Sequence, residues 1–245
     1  MRWKCSIAYD GTQYDGWQSQ PSGMTIQDFV ERRLEVLFER PTRIHGSGRT
    51  DSGVHAKGQV FHFDGDWPHG SDTLIRALRI GHPDSMQIYA AEQVDEDFHA
   101  RYSAIGKRYS YSFFEGYADP FETRYCWSLQ NRKLDVDAMN AGAVYLLGKH
   151  DFSSFTANPH DDREDQPVKD LRRLEVIRDG PRIRLITEAD GYLFRMVRSL
   201  AGCLLAVGIG KLKPDDLIDI LAACKRSDSV QTAPARGLCL EKVFY

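Results

Sequence analysis

Leu174-Glu175-Val176-Ile177-Arg178-Asp179-Gly180-Pro181-Arg182-Ile183-Arg184-Leu185 is the stretch on which the reading of the fold turns. Two runs rich in apolar residues, Leu174–Val176 and Ile183–Leu185, bracket Asp179-Gly180-Pro181, the pattern of a β-hairpin. So short a connection joins antiparallel strands, because a parallel pair needs a crossover of about a dozen residues or more. Downstream, the pattern predicts a long helix from about Tyr192 to Val207, a helix opened by Pro214 and running through Cys224, and a closing strand from Leu240 to Phe244. Upstream, Tyr109, Tyr111 and Phe113 alternate with Arg108, Ser110 and Ser112 in a strand. Asp135 is placed to cap a helix carrying Val136, Met139, Ala143, Leu146 and Leu147.

The first hundred residues show the same rhythm. Trp3, Cys5, Ile7 and Tyr9 alternate as a half-buried strand that ends at the turn Asp10-Gly11. Thr25 is placed to cap a helix whose apolar face is Ile26, Phe29, Val30, Leu34, Leu37 and Phe38. Short strands are expected at Arg43–His45, Gln59–Phe63 and Met86–Ala90, with a helix from Ser71 that turns Leu74, Ile75 and Leu78 inward. Strands and helices mixed in this way, with hairpin signals, predict an α+β fold. A boundary is expected near residue 104, giving subdomains 1–104 and 105–245.

Composition fits such a protein. The chain has 245 residues, 42% hydrophobic and 27% charged, which excludes collagen, disorder throughout and a small disulfide scaffold. Cys5, Cys126, Cys203, Cys224 and Cys239 are odd in number, lack CxxC spacing and read as small buried hydrophobes. No apolar run is long enough to span a bilayer and no signal peptide is recognisable, so a cytoplasmic protein is expected. The net charge of -3 argues mildly against nucleic acid. Its distribution argues the other way: Arg182 to Lys213 holds six Lys and Arg against Glu188 and Asp190, and Arg101, Lys107 and Arg108 lie beside Tyr102, Tyr109 and Tyr111. Basic groups interleaved with aromatics suit phosphate contact and base stacking. The acidic run His160–Asp165 is expected to be a solvated loop.

The stretch richest in chemistry is Gly46-Ser47-Gly48-Arg49-Thr50-Asp51-Ser52-Gly53-Val54-His55-Ala56. It is neither a P-loop nor GxGxxG. Asp51-Ser52-Gly53 matches the short DSG signature of aspartic proteases, but that chemistry needs two carboxylates sharing a proton, and Arg49 favours an ionised Asp51. His45, His55, His62, His99 and His150 show no HExxH or Cys/His pairing, so no metal site is expected; no GxSxG elbow is present.

Together these pieces resemble the tRNA pseudouridine synthase A family. The resemblance runs through Tyr9-Asp10-Gly11, Gly16-Trp17-Gln18, Gly48 to Ala56, Gly58-Gln59-Val60, Phe98-His99-Ala100-Arg101 and Lys107 to Tyr111. It continues through Gly148 to Phe155, Met196-Val197-Arg198 and Ala233 to Leu238, in the family's order and over nearly the whole chain. The block from Arg49 to His55 is the most specific. Lys169-Asp170-Leu171 departs from an Arg-x-Ile pattern common in the family, and Arg79 to Pro83 replaces its usual Asn and Leu-Pro.

The resemblance implies two ferredoxin-like-related subdomains forming a continuous, mainly antiparallel sheet flanked by helices, with the active-site cleft between them. It implies isomerisation of uridine to pseudouridine at tRNA positions 38, 39 and 40, in the anticodon arm, by a homodimer without cofactor or metal. Asp51 would be the catalytic aspartate, Arg49 would hold the flipped nucleotide, and Tyr109 would stack on the target base. Arg198 would pair with the carboxylate and Leu238 would line the base pocket. Whether Asp51 attacks the ribose or removes a ribose proton to give a glycal stays open. So do two alternatives: a synthase of the same family with another uridine target, and a non-catalytic RNA-binding module.

Overall fold

The computed structural model describes residues 1–157 and 166–245; the charged run at 160–165 lies outside them. The chain divides into two compact units, Met1–Ile105 with Cys239–Tyr245, and Gly106–Leu238. It is a mixed α+β protein whose strands pair mostly antiparallel. Among the described residues no helix is long and apolar enough to cross a membrane.

The first unit is built on β1 (Arg2–Tyr9), which buries Trp3, Cys5, Ile7 and Tyr9 as the alternation requires. On one side β1 pairs antiparallel with β4 (Met86–Val94), and on the other with β3 (His55–Asp64). The strand at 43–45 shrinks to β2 (His45–Gly46), paired to β3, because the Ile44 amide donates to Glu31 Oε1 (3.0 Å) and leaves the ladder. β3 begins four residues before its expected start, where its head runs parallel to β10 (Leu238–Phe244): Cys239 faces His55 and Leu240 faces Ala56. Helix α1 (Ile26–Phe38) opens with a full capping box, Thr25 accepting from the Asp28 amide (3.2 Å) and Asp28 Oδ2 from the Thr25 amide (3.2 Å). Helix α2 (Ser71–Arg79) buries Leu74 and Leu78 and packs on β4 and α1.

The second unit carries the hairpin. β8 (Val168–Asp179) and β9 (Arg182–Ala189) close with Asp179 opposite Arg182, and Gly180 supplies the positive φ (+56°) of the turn. β9 pairs antiparallel with β5 (Gly106–Phe114), and β8 with β7 (Gly148–Asp151), giving the order β5-β9-β8-β7. A two-residue strand, β6 (Trp127–Ser128), runs parallel to the end of β5. Helix α3 (Val136–Val144), capped by Asp135 as expected, is tied to β8 through Asn140, whose side chain bonds both the N–H and the C=O of Val176 (2.8 and 2.9 Å).

Helix α4 (Met196–Gly208) buries 11 of its 13 residues and forms the unit's core. It starts four residues later than expected, because Arg195 takes a left-handed conformation (φ +57°). Helix α5 is likewise shorter, Asp216–Ala222, and Cys224 beyond it is left-handed and exposed, unlike the buried Cys5, Cys126 and Cys203.

At the end of β5, the buried Glu115 carboxylate takes two bonds from Arg178 (2.9 and 3.0 Å) and one from the Leu134 amide (2.7 Å). The Arg178 hydrogen bonds are the largest favourable cause holding its pKa down, at about 2. A depressed carboxyl contributes stability that is present above its unfolded value of 4.5 and is lost as pH falls toward 2. Urea titrations of Glu115→Gln are therefore expected to show a flatter decline across that interval than the unsubstituted chain, the difference being on the order of 1–2 kcal/mol after solvent screening.

Candidate active site

Asp51 sits half-buried on the loop between β2 and β3, in the first unit. Four groups fix that loop. Thr50 Oγ1 bonds the Tyr9 hydroxyl (2.8 Å) at the buried end of β1, and the Thr50 carbonyl accepts from the Trp17 amide (3.0 Å). The Gln59 amide, wholly buried on β3, donates to the Gly48 carbonyl (3.0 Å) and accepts from Ser47 Oγ (2.6 Å). Ser52 Oγ donates to the Tyr14 carbonyl (3.1 Å), and the Val54 amide closes a turn on the Asp51 carbonyl (3.1 Å).

The Tyr9-to-Gln18 segment is shaped to this loop. Gly16 has φ +87°, and a Cβ there would stand 2.6 Å from the Thr50 carbonyl, so only glycine lets the two backbones meet. His55, at the head of β3, has Nδ1 at 3.1 Å from both the Gly11 amide and Asp10 Oδ1. One ring nitrogen cannot accept from the amide and donate to the carboxylate at once. Asp10 Oδ1 also receives two bonds from Thr12.

Arg49, two residues before Asp51, is exposed and is steered by uncharged groups. Its Nε donates to Gln18 Oε1 (3.2 Å), and Gln18 Nε2 donates in turn to Gln27 Oε1 (2.9 Å) on α1. Gln27 is buried and anchored on Glu31 (2.7 Å). Tyr9, Gln18, Gln27, Thr50 and Gln59 are supporting residues to which the sequence assigned no role. Two signals were available: Tyr9, Gln18, Thr50 and Gln59 lie in the blocks that carry the family resemblance, and Gln27 is a polar residue on the first buried turn of an amphipathic helix.

The other expected residues lie in the second unit. Tyr109, on β5, is buried opposite Thr187 of β9, its ring edge-to-face with Tyr192 (5.2 Å, 85°). Tyr192 is fastened by its hydroxyl to Thr187 Oγ1 (3.0 Å). Arg198, on α4, donates through Nε to the Ala233 carbonyl (2.7 Å), while the Ala233 amide returns a bond to the Arg198 carbonyl (3.0 Å). The same segment is held by the Tyr111 hydroxyl on the Pro234 carbonyl (2.9 Å) and leads into Leu238, buried at the start of β10. The structure thus places Arg49 and Asp51 on one loop, and Tyr109, Arg198 and Leu238 on β5, α4 and β10.

Part of the positive charge counted at 101–108 and 182–213 is answered within the protein. Arg182 pairs with Glu122, and Glu188 takes both Arg108 (2.8 Å) and Arg173 (3.1 Å). The pair His150-Asp151 is a local turn: His150 Nε2 bonds the Leu147 carbonyl (2.8 Å) and Asp151 the Ser153 amide (2.8 Å).

The chain resembles known proteins along its whole length. A family model described as tRNA pseudouridine synthase matches residues 6–103 and 143–245. The chain is 42% identical to tRNA pseudouridine synthase A of Paramagnetospirillum magneticum, over 100% of this chain and 95% of the relative. The enzymes of the same name from Brevibacillus brevis and Bacillus subtilis are 41% and 39% identical, over 100% of this chain and 99% of each relative.

Gln59→Leu removes the amide that accepts from the buried Ser47 hydroxyl and donates to the Gly48 carbonyl. Chemical denaturation is expected to show a loss of about 1–3 kcal/mol. Turnover of the folded variant is expected to fall as well, since the loop it releases carries Asp51.

Proposed function

This chain belongs to the tRNA pseudouridine synthase family and is an isomerase of uridine in tRNA; on that premise we propose that Asp51 is its catalytic carboxylate and that its targets lie in the anticodon arm. The observation that carries this reading is the loop at 46–54, which holds a carboxylate and a guanidinium on a backbone fixed by buried hydrogen bonds.

Isomerisation breaks the bond between ribose C1′ and uracil N1, turns the base and joins C1′ to C5. The C5 hydrogen leaves as a proton and N1 gains one, so the reaction is redox-neutral. A base inside a stacked helix cannot turn, and the nucleotide must first be extruded into a pocket. Asp51 supplies a carboxylate suited to attack on the ribose or to removal of a ribose proton. Arg49, exposed on the same loop, is the group we assign to the extruded nucleotide's phosphate.

Tyr109 is assigned the stacking platform, a contact worth about 1–3 kcal/mol per base that holds a ring without locking one hydrogen-bonding edge. Arg198 is assigned the countercharge of the carboxylate, and Leu238 an apolar wall of the base pocket. The family resemblance extends the reading to tRNA positions 38, 39 and 40, to a homodimer and to the cytoplasm, where such tRNA is found.

The test is release of tritium from tRNA labelled at uridine C5. The purified chain is expected to release it, and mapping of pseudouridine in the product is expected to place it at positions 38 to 40; release without modification there would overturn the anticodon-arm assignment. Asp51→Asn is expected to lower turnover on the order of a thousandfold or more while tRNA binding stays near that of the unsubstituted chain. Substantial turnover in that variant would remove Asp51 from its role. Tyr109→Ala is expected to slow tritium release by at least about tenfold through loss of the stacking platform.

A further inference from the structure

A column of rings rises from the first unit at the end of β3 remote from Asp51. His62 and His45, cross-strand neighbours on β3 and β2, stack with centroids 5.0 Å apart at 21°. His99 lies 4.6 Å from His62 and 5.6 Å from His45, and Tyr102 continues the column 4.4 Å from His99 at 34°. The column passes from full burial to solvent: His62 is 2% exposed and Tyr102 is 76% exposed. His62 is seven residues along β3 from His55, so the column stands about 23 Å along the strand from the end of the Asp51 loop.

The turn that presents Tyr102 is held by hydrogen bonds at each of its residues from His99 to Ser103. The Arg101 and Tyr102 amides both point to His99 Nδ1 (3.1 and 3.4 Å), and the His99 amide donates to Ser103 Oγ (2.9 Å). The Ser103 amide donates to the His99 carbonyl (2.9 Å), and the Ala100 amide to His62 Nδ1 (3.1 Å). Imidazoles that accept in this way are neutral. Burial first, and then the neighbouring imidazoles and Arg2, keep His99 below its usual value and hold His62 down at about 4. At neutral pH His62 and His99 are therefore an uncharged backing for Tyr102. The Arg101 guanidinium stands exposed 5.8 Å from the Tyr102 centroid. On the flank, Arg2 pairs with Asp64 (2.8 Å) and takes the Phe98 carbonyl (3.0 Å).

Tyr102 contributes little to folding, being three-quarters exposed, yet its ring packs on His99 and a guanidinium lies over it. An exposed aromatic ring with a guanidinium beside it matches a base and its phosphate. We propose that Tyr102 and Arg101 form a second RNA contact, apart from the reacting uridine, where an unpaired base of the bound tRNA stacks on Tyr102 and its phosphate meets Arg101. The choice of RNA as occupant rests on the reading of the chain as a tRNA enzyme.

The experiment titrates an unmodified tRNA transcript against the full chain and measures tritium release in parallel. Tyr102→Ala is expected to weaken binding about tenfold, within the range of a lost base stack, and to raise KM by the same factor with kcat at saturation nearly constant. Tyr102→Phe, which keeps the ring, is expected to bind as the unsubstituted chain does. Arg101→Gln is expected to reduce the slope of log affinity against log salt by roughly 0.7–0.9, one phosphate contact. Unaltered binding by Tyr102→Ala, failure of Tyr102→Phe to restore it, or a fall in kcat at constant KM would each overturn the proposal. Binding is read without turnover. A chain that binds tRNA through Tyr102 but releases no tritium would sink the role of Asp51 and leave this site standing.

Discussion

The amide of Gln59 faces the loop that leads to Asp51, and the placing of that loop depends on it. Its nitrogen donates to Gly48 and its oxygen accepts from Ser47, so one buried side chain occupies two polar groups of a segment that makes little sheet of its own. A loop rich in glycine loses much conformational entropy on ordering. Bonds made in a dry interior offset that loss better than the same bonds would in water. Gln59 can face the loop because β3 is covered on both sides, and β3 is covered because β1, β2 and β10 all pair with it.

Local signals were read correctly where the determining groups are neighbours in sequence. Thr25 and Asp28 form the capping box that starts α1, Asp135 caps α3, and Asp179-Gly180-Pro181 closes the hairpin where the alternation had placed it. The errors occur where a distant group decides. The head of β3 is a strand because β10, about 180 residues later, lies beside it. β2 is short because a glutamate on α1 takes the Ile44 amide. The start of α4 is set by the left-handed backbone of Arg195, a residue type that rarely signals such a conformation.

The site was legible in the same uneven way. Asp51 and Arg49 stand out because glycines, a carboxylate and a guanidinium are gathered in one short stretch. Gln59, Tyr9 and Gln27 do not, since a buried amide or phenol shows its role only when its partners are in place. Charge counted along the chain was the weakest guide. Arg182 is answered by Glu122, 60 residues away, and Glu188 is shared by Arg108 and Arg173 from the two neighbouring strands.

Tyr9, Gln59 and Ser52 hold the loop, moreover, through uncharged groups. Burial raises the Tyr9 hydroxyl above its ordinary value, so its bond to Thr50 persists unaltered across the range in which a carboxylate works. Arg49 is positioned by Gln18 and Gln27, which do not titrate. Ionic bonds at the loop would add fields of their own and would weaken in salt, the condition that also governs RNA binding. Neutral bonds do neither. The bonds that Tyr9, Gln59 and Ser52 make to the loop therefore keep their strength while salt alters how tightly RNA is held.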